Sequence, residues 1–112
     1  MSHLNFIVPG MIIYNVTINI DDAVHDEWLK WMKEVHIPDV MKTGLFLENR
    51  MLKILDNESG NGGTNYSVQF TCRTMEDFKK YETTFASTFR KEHAGKYKDQ
   101  FVAFRTLLET VD

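Results

Sequence analysis

The side chains best suited to chemistry in this sequence are a histidine and two arginines. His36 lies in DDAVHDEWLKWMKEVHIPDVMKTG, residues 21–44, eight residues after Trp28. An imidazole titrates near neutral pH, so His36 could give or take a proton as the candidate catalytic residue. A structural role is open to it as well, with the ring tucked against Trp28 and Met32 and bonded to a backbone carbonyl. Asp39, three residues on, could orient it. Arg50 and Arg105 are candidate ligand-binding residues, because an inward guanidinium holds a carboxylate or phosphate at two points. Glu48 and Glu109 offer them ordinary cross-strand pairing instead. Asn15 and Gln69 complete the candidate set as polar groups that could orient a ligand.

Other chemistries find less support. His3, His25, His36 and His93 form no i, i+4 pair and Cys72 stands alone, so no metal site is expected. Cys72 also lacks a base beside it and suits a small buried apolar position. The GNGG run falls between two strands and does not open a helix, which removes a phosphate loop; no cofactor is expected. Trp28 and Trp31 could wall a planar ligand, but at helical spacing they also suit core and interface anchors.

These residues must be positioned by a single domain. The chain has 112 residues and is 43% hydrophobic, enough for a core without disulfides or metals. One cysteine excludes an internal disulfide, and with no signal-peptide pattern the expected setting is a reducing cytoplasm. The apolar runs are far shorter than the roughly 20 residues a bilayer crossing needs. Thirteen basic and sixteen acidic residues are interspersed, giving a net charge of -3 and no footprint for nucleic acid.

Residues 1–10 end in Pro-Gly and read as an N-terminal extension or arm, leaving 11–112 as the domain. From Met11 to Ile20 apolar and polar residues alternate: Ile12, Tyr14, Val16, Ile18 and Ile20 against Asn15, Thr17 and Asn19. Asp21 or Asp22 caps a helix whose apolar face is Val24, Trp28, Trp31, Met32 and Val35. That helix is expected to end near Val35 or His36, with Pro38 opening a further short turn that Gly44 breaks. Residues 45–55 give a second strand, NESGNGGT a hairpin loop, and Tyr66–Cys72 a third strand. Thr74 with Asp77 caps a second helix, whose stripe Met75, Phe78, Tyr81, Phe85 and Phe89 runs to about Arg90. Gly95 is expected to break the polar tail beyond it, and Phe101–Val111 is the last strand.

The order strand, helix, strand, strand, helix, strand is that of a ferredoxin-like α+β domain, an antiparallel four-stranded sheet with two helices on one face. Its other face then carries Asn15, Thr17, Asn19, Ser67, Gln69 and Thr71 together with Arg105, and Ile13, Leu107 and Phe101 sit among them. An RNA-binding sheet would need its aromatics exposed, whereas Tyr66 and Phe70 share the side facing the helices.

The segments MIIYNVTINI, EWLKWMKEVHIPDVMKTGLF, YSVQFTC and FVAFRTLLE resemble an uncharacterised bacterial domain-of-unknown-function family, from Met11 to about Val111. A tryptophan, a histidine eight residues later and a nearby glycine also resemble the dimeric α+β barrel superfamily. That resemblance implies two protomers packed sheet to sheet as a homodimer. Members include small monooxygenases acting on aromatic substrates, haem-degrading enzymes, isomerases and stress-response proteins. Haem-degrading members use an asparagine, a strand tryptophan and a histidine on the second helix. Here both tryptophans lie on the first helix and His93 falls beyond the second helix's stripe, so that chemistry is not carried over. The expectation is a barrel holding a small organic ligand between its sheets, with proton-transfer or monooxygenase-like activity. The competing reading is a non-catalytic module whose sheet only forms the dimer interface.

Overall fold

A computed structural model describes residues 8–56 and 62–112. Most of the expected N-terminal arm, and residues 57–61 of the expected hairpin loop, therefore lie outside the described residues. At the end of the arm, Gly10 donates its N–H to the Thr110 carbonyl at 2.7 Å, and the Thr110 hydroxyl donates to the Val8 carbonyl at 2.6 Å.

Four strands, β1 (Ile12–Ile20), β2 (Glu48–Ile54), β3 (Thr64–Cys72) and β4 (Phe101–Glu109), form one antiparallel sheet in the order β2-β3-β1-β4. Two helical rods lie against it. The first comprises a 3-10 turn (Asp22–Val24), α1 (His25–Trp31), a π-helical segment (Met32–His36) and α2 (Ile37–Met41). The second comprises α3 (Met75–Tyr81), a π-helical segment (Glu82–Ala86) and α4 (Ser87–Lys96). This is the expected ferredoxin-like arrangement. Both expected caps form: Asp21 Oδ1 accepts the Ala23 N–H at 3.0 Å, and Thr74 Oγ1 accepts the Asp77 N–H at 3.1 Å.

The rods differ from the sequence reading in length. The first does not stop at His36 but continues to Met41, with Pro38 in the turn that follows the π segment. The second runs through Gly95 to Lys96. A helical glycine costs about 1 kcal/mol relative to alanine. Buried His93 and Tyr97, continuing at four-residue spacing from Phe89, offset that cost by keeping an apolar face on the core.

Each π segment also rotates the helix beyond it. Its i→i+5 bonding puts one extra residue into a turn, so eight residues span about two turns where seven would in a regular helix. Val35, seven after Trp28, is consequently exposed, and His36 takes the inward place expected of it. In the second rod the same shift stacks Phe89 on Tyr81, ring centroids 6.3 Å apart and 15° from parallel.

Strand register settles which residues face the helices. Tyr14 pairs with Phe70 and Leu107, Val16 with Val68 and Arg105, Ile18 with Tyr66 and Ala103, and Ile20 with Phe101. Arg105, Leu107 and Phe101 thus belong to the helix-facing side, not to the outer face where the sequence reading put them. β4 is apolar on both sides, so its alternation did not reveal its phase. The outer face carries Asn15, Thr17, Asn19, Ser67, Gln69 and Thr71 as expected, but along β4 and β2 it also carries Val102, Phe104, Leu108 and Leu52, all exposed.

Beneath the rods, Trp28, Met32, Val40, Ile20, Val68 and Cys72 are fully buried. Burial, with the Asp77 carboxylate nearby, pushes the Cys72 thiol up from its ordinary value, and its Sγ donates to the Thr74 carbonyl at 3.4 Å. That environment suits packing and not nucleophilic attack.

The β2–β3 connection supplies a prediction. Gly63 has φ +73°, and a Cβ there would lie 2.6 Å from Asn19 Oδ1 and 2.8 Å from the Ile20 carbonyl. Gly62 has the same φ but open space around it. Gly63→Ala is expected to cost about 2 kcal/mol in urea unfolding and Gly62→Ala about half as much. Equal losses would show that backbone conformation alone sets the requirement.

Candidate functional site

The inner side of the sheet is not packed solid. Between β1, β3 and β4 on one side and both rods on the other lies a narrow cavity of about 40 Å³ that opens toward solvent. Tyr14, Val16, Ile18, Val68 and Phe70 give it an apolar floor. His36 and Met32 come from the first rod, Tyr81, Phe89, Arg90 and His93 from the second, and Arg105 from β4.

The two histidines have different roles because one is bonded and one is not. A buried indole N–H needs an acceptor, and Trp28 Nε1 donates to His93 Nε2 at 2.9 Å, tying the rods together. That bond places the proton of neutral His93 on Nδ1. His36 packs its ring on Trp31, Phe89 and His93 at 5.2, 6.0 and 6.0 Å between centroids. Its Nδ1 is buried with no partner among the described residues. The carbonyl bond of the structural alternative is therefore not made at Nδ1. Asp39 does not orient the ring by a hydrogen bond either, and sits 3.8 Å from Lys42. Burial lowers His36 to about 4 against the small opposing pull of Asp39. Burial, reinforced by His36 and Arg105, lowers His93 to about 4.

At the other end of the pocket two guanidiniums meet one phenol. Arg90 Nη2 and Arg105 Nε each donate to the Tyr14 hydroxyl oxygen at 3.1 Å. Arg90 also holds Glu82 by two bonds, of 2.8 and 2.9 Å, which keep it firmly protonated, while its Nε is buried without a partner among the described residues. Glu82 and Arg90 are eight residues apart and meet because the intervening π segment brings them to one side of the rod. Burial holds the nearby Tyr81 phenol above its ordinary value.

The sheet divides the candidate residues. His36 and Arg105 come together at the inner pocket, whereas Asn15, Gln69 and Arg50 pair across β1, β3 and β2 on the outer face. There Gln69 Nε2 donates to Ser67 Oγ, Ser67 donates to Asn15 Oδ1, and Asn15 Nδ2 donates to Thr17 Oγ1. The cavity is thus on the opposite side of the sheet from the ligand space expected between two sheets. Tyr14, Arg90 and His93 were not among the sequence candidates. The signal for His93 was available in the run Phe85, Phe89, His93, Tyr97, each four residues from the last.

Shielded neutral histidines make stability depend on pH. Both rings are lowered in the folded protein, so the unfolded chain binds more protons between pH 6.5 and about 4. Their contribution is complete above pH 6.5 and is lost as pH falls toward 4. Shifts of this size correspond to about 3 kcal/mol per ring, less for two rings that repel each other's charge. Urea midpoints should therefore fall steeply from pH 7 to pH 4.5, and His36→Leu should flatten that slope. An identical slope in the variant would show that His36 is not shielded.

Comparison with known proteins bears on the fold. The model for the family described as Domain of unknown function (DUF4286) matches residues 11–111. No curated protein sequence matches the chain. Among solved structures, a dimeric ferredoxin-like protein from an uncultured marine organism is similar at a TM-score of 0.65 and 12% identity, covering 94% of this chain and 98% of that one. SnoaB, a cofactor-independent oxygenase from Streptomyces nogalater, is similar at 0.63 and 10%, covering 92% of this chain and 95% of that one. An ethyl tert-butyl ether d (ethd) family protein from Bacillus halodurans is similar at 0.64 and 10%, covering 89% and 99%. At such identities the likeness shows a shared fold. With the family model spanning all of the sheet and both rods, the chain belongs to the DUF4286 family.

Proposed function

We propose that this protein binds a small organic ligand in the pocket between sheet and rods, and that His36 exchanges a proton with it. The observation that carries this reading is the orphaned Nδ1 of His36 beside a cavity. A buried polar atom without a partner costs about 1–3 kcal/mol, and a turn of the His36 ring toward the cavity would let a ligand hydroxyl or enol relieve that cost. A cavity of about 40 Å³ holds only a few waters, well below the roughly 300 Å³ of common ligand pockets. Only a small part of a ligand therefore enters the narrow part, and the remainder lies toward the open end.

A neutral imidazole whose charged form is penalised by burial is first a hydrogen-bond acceptor. It becomes a proton acceptor when negative charge develops beside it, because an adjacent anion restores the imidazolium. Arg105 and Arg90 line the same pocket and would favour a ligand that carries negative charge. His93 keeps its Nε2 on Trp28 and serves as packing and support. One protein of the same fold is named a cofactor-independent oxygenase. Monooxygenase-like chemistry in this pocket would begin with the same step, deprotonation of the organic substrate.

A second reading concerns the outer face. Val102 is 70% and Phe104 61% exposed along β4, with exposed Leu108 on the same side of that strand. Apolar strips of this kind mark protein contacts, and one solved relative in fold is described as dimeric. We take this face to pair two copies, an arrangement compatible with a ligand pocket on the other side of each sheet. A purely interaction-based role would leave the inner pocket without purpose.

Two measurements test these readings. His36→Leu removes an unpartnered polar atom, so it should hold or raise the thermal midpoint while abolishing retention of a co-purifying ligand in native mass spectra. A drop of several degrees would assign His36 to structure. Phe104→Asp should convert a dimer to a monomer in sedimentation at micromolar concentration; an unmodified protein already monomeric there would remove the pairing.

A further inference from the structure

We propose that the pocket's ligand is an organic carboxylate, held at the mouth by Arg105 with Arg90 behind it. This rests on the reading of the pocket as a ligand site and adds the charge of what it takes. Two guanidiniums share the Tyr14 oxygen at 3.1 Å each, yet Glu82 is the one carboxylate paired with either among the described residues. With both neighbouring histidines neutral at physiological pH, the cluster carries one uncompensated positive charge.

The neighbours of Arg105 along its own strand point the same way. The other helix-facing residues of β4 at alternate positions before and after it, Phe101, Ala103 and Leu107, are apolar. Holding two guanidiniums on one phenol costs mutual repulsion, moderated by solvent at exposed Arg105. An anion removes that cost. Arg105 uses only Nε within the protein among the described residues, so Nη1 and Nη2 remain to hold both oxygens of a carboxylate. The residue is exposed at the mouth, where an incoming anion meets it first. The floor of Val16, Val68 and Ala103 suits an apolar or aromatic body attached to that carboxylate.

Benzoate and benzamide have nearly the same shape and differ in charge, which makes them the probes. Each is titrated into the full-length ¹⁵N-labelled chain while the backbone amide signals of Tyr14, Val68 and Ala103 are followed. Benzoate is expected to bind at least about tenfold more tightly than benzamide. Arg105→Gln should erase that difference by weakening benzoate far more than benzamide, while Arg105→Lys, which keeps the charge, should retain part of it. Equal affinity for the two probes in the unmodified protein would overturn the carboxylate preference and leave the ligand site standing. No perturbation by either probe would overturn the ligand site and this inference with it. A benzoate preference that survives Arg105→Gln in a chain with an otherwise native spectrum would also overturn the assignment.

Discussion

In a regular helix the residue seven places after Trp28 shares its inward face, and that residue is Val35. One surplus residue in the turn Met32–His36 moves the inward place to His36 and turns Val35 to solvent. The turn Glu82–Ala86 does the same in the second rod, aligning Glu82 with Arg90 and Tyr81 with Phe89. Widened turns sacrifice helical hydrogen-bond geometry and are uncommon. Two of them, one on each rod and both opening onto one cavity, are what puts an imidazole and a guanidinium over an otherwise apolar floor. Straightening the first turn would put Val35 in the place of His36, and straightening the second would put Phe89 in the place of Arg90 opposite Glu82.

The hydrogen bond from Trp28 to His93 then separates the two imidazoles chemically. It occupies a lone pair of His93, satisfies the indole, and fixes how the rods approach each other across the sheet. His36, 6.0 Å away between ring centroids, feels the same burial but keeps an unpartnered nitrogen. Protonating either ring would disfavour protonating the other, since both sit in low dielectric and each lowers the tendency of its neighbour to ionise. A pair of this kind resists carrying two charges at once, and the bond from Trp28 keeps His93 Nε2 from taking up a proton.

The physics of each element decides how much of the fold and site was legible in the sequence. From Tyr14 to Ile20 in β1 and from Tyr66 to Cys72 in β3 apolar and polar residues alternate, so their phase, and with it the ferredoxin-like order, could be read directly. β4 has Val102, Phe104 and Leu108 on one side and Phe101, Ala103 and Leu107 on the other, so period two carried no phase information and Arg105 was put on the wrong face. The helix starts were legible because Asp21 and Thr74 carry local capping chemistry. The helix ends were not. Pro38 and Gly95 are ordinary breakers, and only tertiary burial of Val40, His93 and Tyr97 carries the rods past them. Widened turns leave no mark in a 3.6-residue period, so the meeting of His36 with His93, and of Arg90 with Arg105 on Tyr14, could not have been read from spacing.

The sheet also explains why the candidate residues divided as they did. Outward Asn15, Gln69 and Ser67 satisfy one another, leaving few donors free for a ligand, and beside them Phe104 and Val102 remain uncovered. Inward, the balance is reversed: the apolar surface is covered, and the unpartnered atoms are polar ones, His36 Nδ1 and Arg90 Nε. Covering an apolar strip requires another surface, whereas relieving a buried donor or acceptor requires a small polar group that fits the cavity. Each side of the sheet is therefore incomplete in its own way. A partner chain on the outer side could not satisfy the inner atoms, because the strands stand between them, so assembly and ligand binding are separate demands on the same four strands.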